Sequence, residues 1–167
     1  MLEAQEKLER VIRLLREETT LALATTGEDG SATVAPLFYL AGPDLALYWL
    51  SSSTSAHSRN LARTSRTAVT IYCHAESWRQ IRGVQMTGVT CVVADSERRR
   101  SIVKAYCERF KLGKVFALAI RRSVLYAFEP ESIRFIDNGN SFGDKVELAR
   151  PTEGWSVPPP TAPMCKK

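Results

Sequence analysis

The stretch "LALATTGEDGSATVAPLFYLAGPDLALYWL", residues 21–50, decides how this chain folds. Its apolar residues come in short runs, "LALATT" (21–26), "SATVAPLFYL" (31–40) and "LALYWL" (45–50). Between the runs stand "GEDG" (27–30) and "AGPD" (41–44). Such compositions build tight turns, because Gly accepts a positive φ and Pro presets a negative one. Three runs and two turns predict a meander of antiparallel hairpins. Pro36 has no N–H to give a ladder, so it marks an edge, a bulge or a place where the sheet opens.

Outward from this meander, Leu8, Val11, Ile12 and Leu15 recur at helical spacing and predict an amphipathic helix over 2–18. Downstream, "AHSRNLART" (56–64) reads as a short helix and "TAVTIYCH" (67–74) as a strand. "RQIRGVQMTGVTCVVAD" (79–95) is longer than most strands, and Gly83 and Gly88 suit a bent strand serving two parts of a closed sheet. "DSERRRSIVKAYCERF" (95–110) opens with cap residues and presents Ile102, Val103, Tyr106 and Phe110 as a buried stripe. "SVLYAFEP" (123–130) and "SIRFIDN" (132–138) predict two further strands, and "DKVELAR" (144–150) a last one. The expected fold is mainly β with added helices (α+β), an antiparallel barrel of six or seven strands. It occupies residues 1–150. The Pro-rich stretch 151–167 has no periodicity and is expected to be a disordered tail.

With 167 residues, 44% hydrophobic and 25% charged, the composition is that of one soluble globular domain. No apolar stretch approaches the roughly 20 residues of a membrane helix, and the charged N-terminus lacks a signal-peptide core. A cytoplasmic protein is the expectation. Cys73, Cys91, Cys107 and Cys165 form no CxxC pair and no cluster with His57 or His74, which argues for reduced thiols and against a metal site. The net charge of +5 favours an anionic partner without naming it. "ERRR" (97–100) with Lys104, Arg109, Lys111 and Lys114 has the charge of a nucleic-acid patch. A solvated basic helix face is the commoner meaning, and no aromatic stacking pattern accompanies it, so no nucleic-acid partner is expected.

Five hydroxyl residues, Ser51 to Ser55, end the third run, and His57 follows at the start of the short helix. Hydroxyls before a helix N-terminus can gather donors around one anion, with His57 and Arg59 supplying charge. Alternatively, Ser55 only caps the helix and the other hydroxyls face water. On local sequence alone this plainer reading has the advantage.

The order of these elements resembles the pyridoxamine-5′-phosphate-oxidase-like family of FMN-binding split barrels. The residues that carry the resemblance are "TVAPLFYL", "LALYWLSSSTSAHSRNL" followed by "TAVTIY", and "QIRGVQMTG", over roughly residues 10–138. The later run "AFEPESIRFIDNGNSFGDKVEL" resembles the ending of a small bacterial branch that shares "IRGVQ" and "KAYxxRF".

The resemblance implies an FMN cofactor whose phosphate is held by Ser51, Ser52, Ser55 and His57. The family usually has Lys or Arg where His57 stands, which implies weaker or pH-dependent binding here. The flavin ring is implied to lie against the main chain of Ala35, Pro36 and Leu37. Arg82 and Gln85 lie on the long strand, and their odd-even spacing puts them on opposite faces, so only one is expected to reach a given ligand. "DNGNSFG" (137–143) is either a plain turn or a flap whose Phe142 stacks on the ring. Also implied are a homodimer with FMN at the interface and an oxidoreductase activity on an unnamed small molecule. No residue stands out as acid, base or nucleophile. The run "DKVELARPTEG" lacks a recognisable counterpart of the C-terminal arginine signature of true pyridoxamine-phosphate oxidases. The alternative from another class is a non-catalytic split barrel carrying haem, with His74 as a candidate ligand, or a deazaflavin.

Overall fold

A computed structural model describes residues 2–139, 143 and 145–149. The meander forms as its turns require. Strands β1 (Thr20–Thr26) and β2 (Ala32–Phe38) pair antiparallel, from Thr20 opposite Phe38 to Thr26 opposite Ala32. Gly30, at φ +81°, closes their turn, a conformation that costs an L-residue about 1–2 kcal/mol. The expected run 31–40 becomes two strands, because Tyr39 leaves the ladder to bond Thr19 through its N–H at 3.0 Å. After it come β3 (Leu40–Ala41) and β4 (Leu47–Ser51). Leu45, expected to open this strand, instead ends the turn at φ +62° with its side chain buried.

Helix α2 (Ala56–Leu61) leads to β5 (Arg66–Tyr72), and β6 spans Arg82–Val92. The two strands expected over 123–138 are one, β7 (Val124–Asp137), because the sheet absorbs the irregularity between them. Gly88 pairs with Pro130 and Thr87 with Ser132, so Glu131 is bulged out and the strand continues. A Cβ on Gly88 would stand 2.1 Å from the Glu129 carbonyl oxygen, so only glycine allows this approach. Along its other edge, β7 pairs with β4 over its first part and with β8 (Lys145–Ala149) over its last part.

The strand order is β2-β1-β5-β6-β7-β4-β3, with β8 on β7, giving eight strands among the described residues. Its two ends, β2 and β3, are joined by Tyr39 alone, so the sheet must curl until its ends meet. That seam is the split, and it places Pro36 on an edge strand as its missing N–H demands.

The barrel interior holds Leu21, Leu23, Leu47, Trp49, Ile71, Val84, Met86, Phe128 and Phe135, all at most 2% exposed. Helix α1 (Leu2–Glu17) adds Val11, Leu14 and Leu15 to this core. Each such burial is worth about 1.5–3 kcal/mol. The buried Tyr39 hydroxyl donates to the Leu15 carbonyl at 2.9 Å and fixes the helix to the seam.

Helix α3 (Ser96–Arg109), capped by Asp95, lies outside the barrel over Ala46, Tyr48, Leu125 and Ala127. Of its expected stripe only Tyr106 is buried, while Ile102, Val103 and Phe110 are half-buried. The helix rests on a narrow strip of the wall, so its flanks stay wet. A 3-10 turn (Lys114–Phe116) and helix α4 (Ala117–Arg122) fill a stretch where the sequence pattern predicts no element. No described helix is long and apolar enough to cross a membrane. Phe142 and the tail 151–167 lie outside the described residues.

Candidate functional site

β4 ends at Ser51, and the chain turns through Ser52–Ser55 into α2. Two hydroxyls converge on one imidazole nitrogen: Ser51 Oγ lies 2.7 Å and Ser55 Oγ 3.0 Å from His57 Nε2. The two hydroxyls are 3.3 Å apart. Ser55 also caps α2, accepting the Ser58 N–H at 3.3 Å. The capping role and the clustering role therefore fall on the same residue. Ser52 turns away, with its Oγ 2.9 Å from Thr54 Oγ1 on the exposed side of the loop. Arg59 donates to the Thr54 carbonyl, which brings a guanidinium to the loop's rim.

What holds this cluster in place is a second polar group. The Asn60 side-chain amide donates to Thr25 Oγ1 and Thr33 Oγ1, both at 3.0 Å, and those two hydroxyls lie 2.8 Å apart. Asn60 and Thr25 are buried, so the triangle fastens α2 to the β1–β2 hairpin. Along β2 the faces alternate, so Ala35 and Leu37 share Thr33's face and are half-buried, whereas Pro36 is exposed on the other. Burial pulls the His57 imidazole below its ordinary pKa. Near neutral pH the ring is uncharged while no anion faces it.

Arg82 and Gln85 are separated as their spacing requires. Arg82 faces α1, where its Nε lies 3.7 Å from a carboxylate oxygen of Asp137. Arg10 pairs with the same oxygen, and Asp137 is buried between them. Gln85 lies on the outer face, in an open groove of about 390 Å³ floored by Ala22, Ala24 and Ala68, with Arg134 at its side. Ala22 stands opposite Pro36, so Pro36, Val34 (67% exposed) and Phe38 (57% exposed) extend that outer face. His74 lies in an open polar cleft with Cys73, Glu17, Glu18 and Arg82. The structure thus brings together Ser51, Ser55 and His57, with Ser52 in the adjoining loop. Ala35, Leu37, Pro36, Gln85 and Arg82 lie elsewhere on the wall.

Sequence reasoning missed two contributors. Val124 stands opposite Ser51 across the β4–β7 ladder and so holds the end of β4. That pairing spans more than 70 residues of chain. Asn60 likewise reaches partners 35 and 27 residues away.

A curled antiparallel sheet split at one seam, with helices on its end and flank, defines a split-barrel protein of the α+β class. The chain matches the pyridoxamine 5′-phosphate oxidase family over residues 7–137 and belongs to it. A UPF0306 protein of Enterobacter sp. (strain 638) is 30% identical over 123 residues, which cover 73% of this chain and 82% of that protein. A UPF0306 protein of Klebsiella pneumoniae is 25% identical over 146 residues, covering 87% and 95%. Among solved structures, the haem storage protein HutZ of Vibrio cholerae superposes with a TM-score of 0.63 at 23% identity, covering 74% of this chain and 90% of that one. An FAD-binding protein of Mesorhizobium loti gives 0.55 at 17% identity, covering 75% and 90%. These two share the fold.

Proposed function

We propose that this chain is an FMN-binding oxidoreductase that works as a homodimer, with the cofactor at the subunit interface and a small molecule as substrate. The observation that carries the proposal is the convergence of Ser51, Ser55 and His57 at the end of β4, with Arg59 at the rim. Such a set fits a phosphate: hydroxyls donate to its oxygens, and the imidazole can take a proton to become a further donor. A bound flavin supplies the hydride or electron transfer. The chain's own part is to grip the phosphate and to lay the main chain of Ala35, Pro36 and Leu37 on β2 against the ring. We assign no catalytic residue. Oxidation of pyridoxamine phosphate itself is not the proposed reaction, since "DKVELARPTEG" carries no recognisable arginine signature for it.

Family membership supports a flavin, as does the FAD-binding relative in fold. The exposed apolar side chains Val34 and Phe38 beside the alanine-floored groove support a dimer, because an apolar patch of this kind is usually covered. The test is a titration of cofactor-free protein with FMN, riboflavin, a deazaflavin and haemin, followed by absorbance and flavin fluorescence. The expected result is saturable FMN binding with riboflavin markedly weaker. Haemin binding without FMN binding would replace the proposal with the haem-carrier reading that the HutZ likeness favours.

A further inference from the structure

The stretch "KLGKVFALAIRR" (111–122) is built unlike the rest of the chain. It carries four cations and no acid, and its apolar side chains point outward. Val115 is 84% exposed, Leu118 51% and Phe116 47%, while only Leu112 and Ile120 are half-buried. Lys114, Ala117, Ile120 and Arg121 line the side toward α3, and the exposed Val115, Phe116 and Leu118 lie outside that side. Arg99 fixes this segment to α3 by donating to the carbonyls of Ile120 at 3.4 Å and Ser123 at 2.8 Å. Between the two helices runs an open groove of about 570 Å³, floored by Val103, Cys107 and Leu112 and rimmed by Arg100, Lys114 and Arg121. Among the described residues, Arg100, Lys111, Lys114, Arg121 and Arg122 form no ion pair.

We propose that this face docks on an anionic phospholipid surface. Val115, Phe116 and Leu118 enter the headgroup boundary, and the surrounding cations meet the lipid phosphates. Charge complementarity selects this occupant. A second copy of the chain, meeting the same patch across a two-fold axis, would set five unpaired cations against the same five. A nucleic-acid backbone would match the charge but leave three exposed apolar side chains with nothing to bury them. The proposal is independent of which cofactor the barrel holds.

The test is cosedimentation of the full chain with phosphatidylcholine vesicles, with and without phosphatidylglycerol. Binding is expected only with the anionic lipid and is expected to weaken with salt. Lys114→Gln and Arg121→Gln should each reduce it roughly fivefold. The double variant Val115→Ser/Leu118→Ser should reduce it roughly tenfold or more while leaving any affinity for duplex DNA unchanged. These side chains are exposed, and unchanged melting curves would confirm that the variants fold. Failure to bind anionic vesicles would overturn the proposal, as would equal binding to neutral ones. So would a serine variant that binds like wild type, or one that converts a dimer to a monomer.

Discussion

Replacing His57 by alanine removes the nitrogen on which Ser51 and Ser55 converge at 2.7 and 3.0 Å. In the cofactor-free protein the loss is modest, about 0.5–1.5 kcal/mol for each hydrogen bond and toward the low end at a half-buried site. With FMN bound, the variant loses a charge-assisted bond worth about 1.5–3 kcal/mol. At about 1.4 kcal/mol per tenfold, FMN should bind roughly 10- to 100-fold more weakly.

The pH dependence has two opposite signs. Burial lowers the imidazole's pKa in the free protein, so its contribution to stability is complete above the ordinary value near 6.5 and is lost as pH falls below it. A phosphate dianion raises the same pKa in the complex, so FMN binding takes up a proton and affinity falls as pH rises. The phosphate's own second ionisation, near pH 6, acts the other way, and His57→Lys separates the two. That variant should bind FMN like wild type at pH 6 and keep its affinity at pH 8.5. Riboflavin should not distinguish the three proteins. The assay is fluorescence titration of cofactor-free protein at both pH values, and equal FMN affinity of wild type and His57→Ala at pH 6 would refute the reasoning.

Asn60→Ala deletes both bonds to Thr25 and Thr33 and should cost about 1–2 kcal/mol in chemical denaturation, with weaker FMN binding as α2 loosens. Gly88→Ala must push β6 from β7 at the Glu129 carbonyl and should cost about 3 kcal/mol or more, read as a large drop in melting temperature. Light scattering should give twice the monomer mass for wild type, and Val34→Lys/Phe38→Lys should bring it to one. A wild-type monomer at micromolar concentration would remove the interface from the proposed site.

Most strands were legible because their turns are local: "GEDG" places Gly30 where positive φ is needed, and Pro36 announces an edge. Errors arose where a tertiary partner overrides a local signal. Pro130 and Glu131 look like a break, yet the facing Gly88 leaves room for a bulge and β7 runs on. Helix α4 was invisible because its apolar side chains face outward, so no buried stripe marks it. The serine–histidine cluster was readable for the opposite reason: its members lie within seven residues of one another. Asn60 needed the β1–β2 hairpin to find its partners, and Ser51 needed β7 to place Val124 opposite it.

Flavin and haem place different demands on one barrel, and the two histidines decide between them. A haem needs a side chain to ligate its iron, most often a histidine, and an apolar slot for the macrocycle. His57 already engages two serine hydroxyls through Nε2. His74 is exposed, and its cleft is walled by Glu17, Glu18, Glu76 and Arg82. A flavin phosphate needs clustered donors, which Ser51 and Ser55 supply. The expected outcome is that His74→Ala leaves FMN binding unchanged and that haemin gives no saturable spectral shift with wild type. A haemin complex abolished by His74→Ala would show that the polar cleft, and not the serine cluster, is the functional end of this barrel.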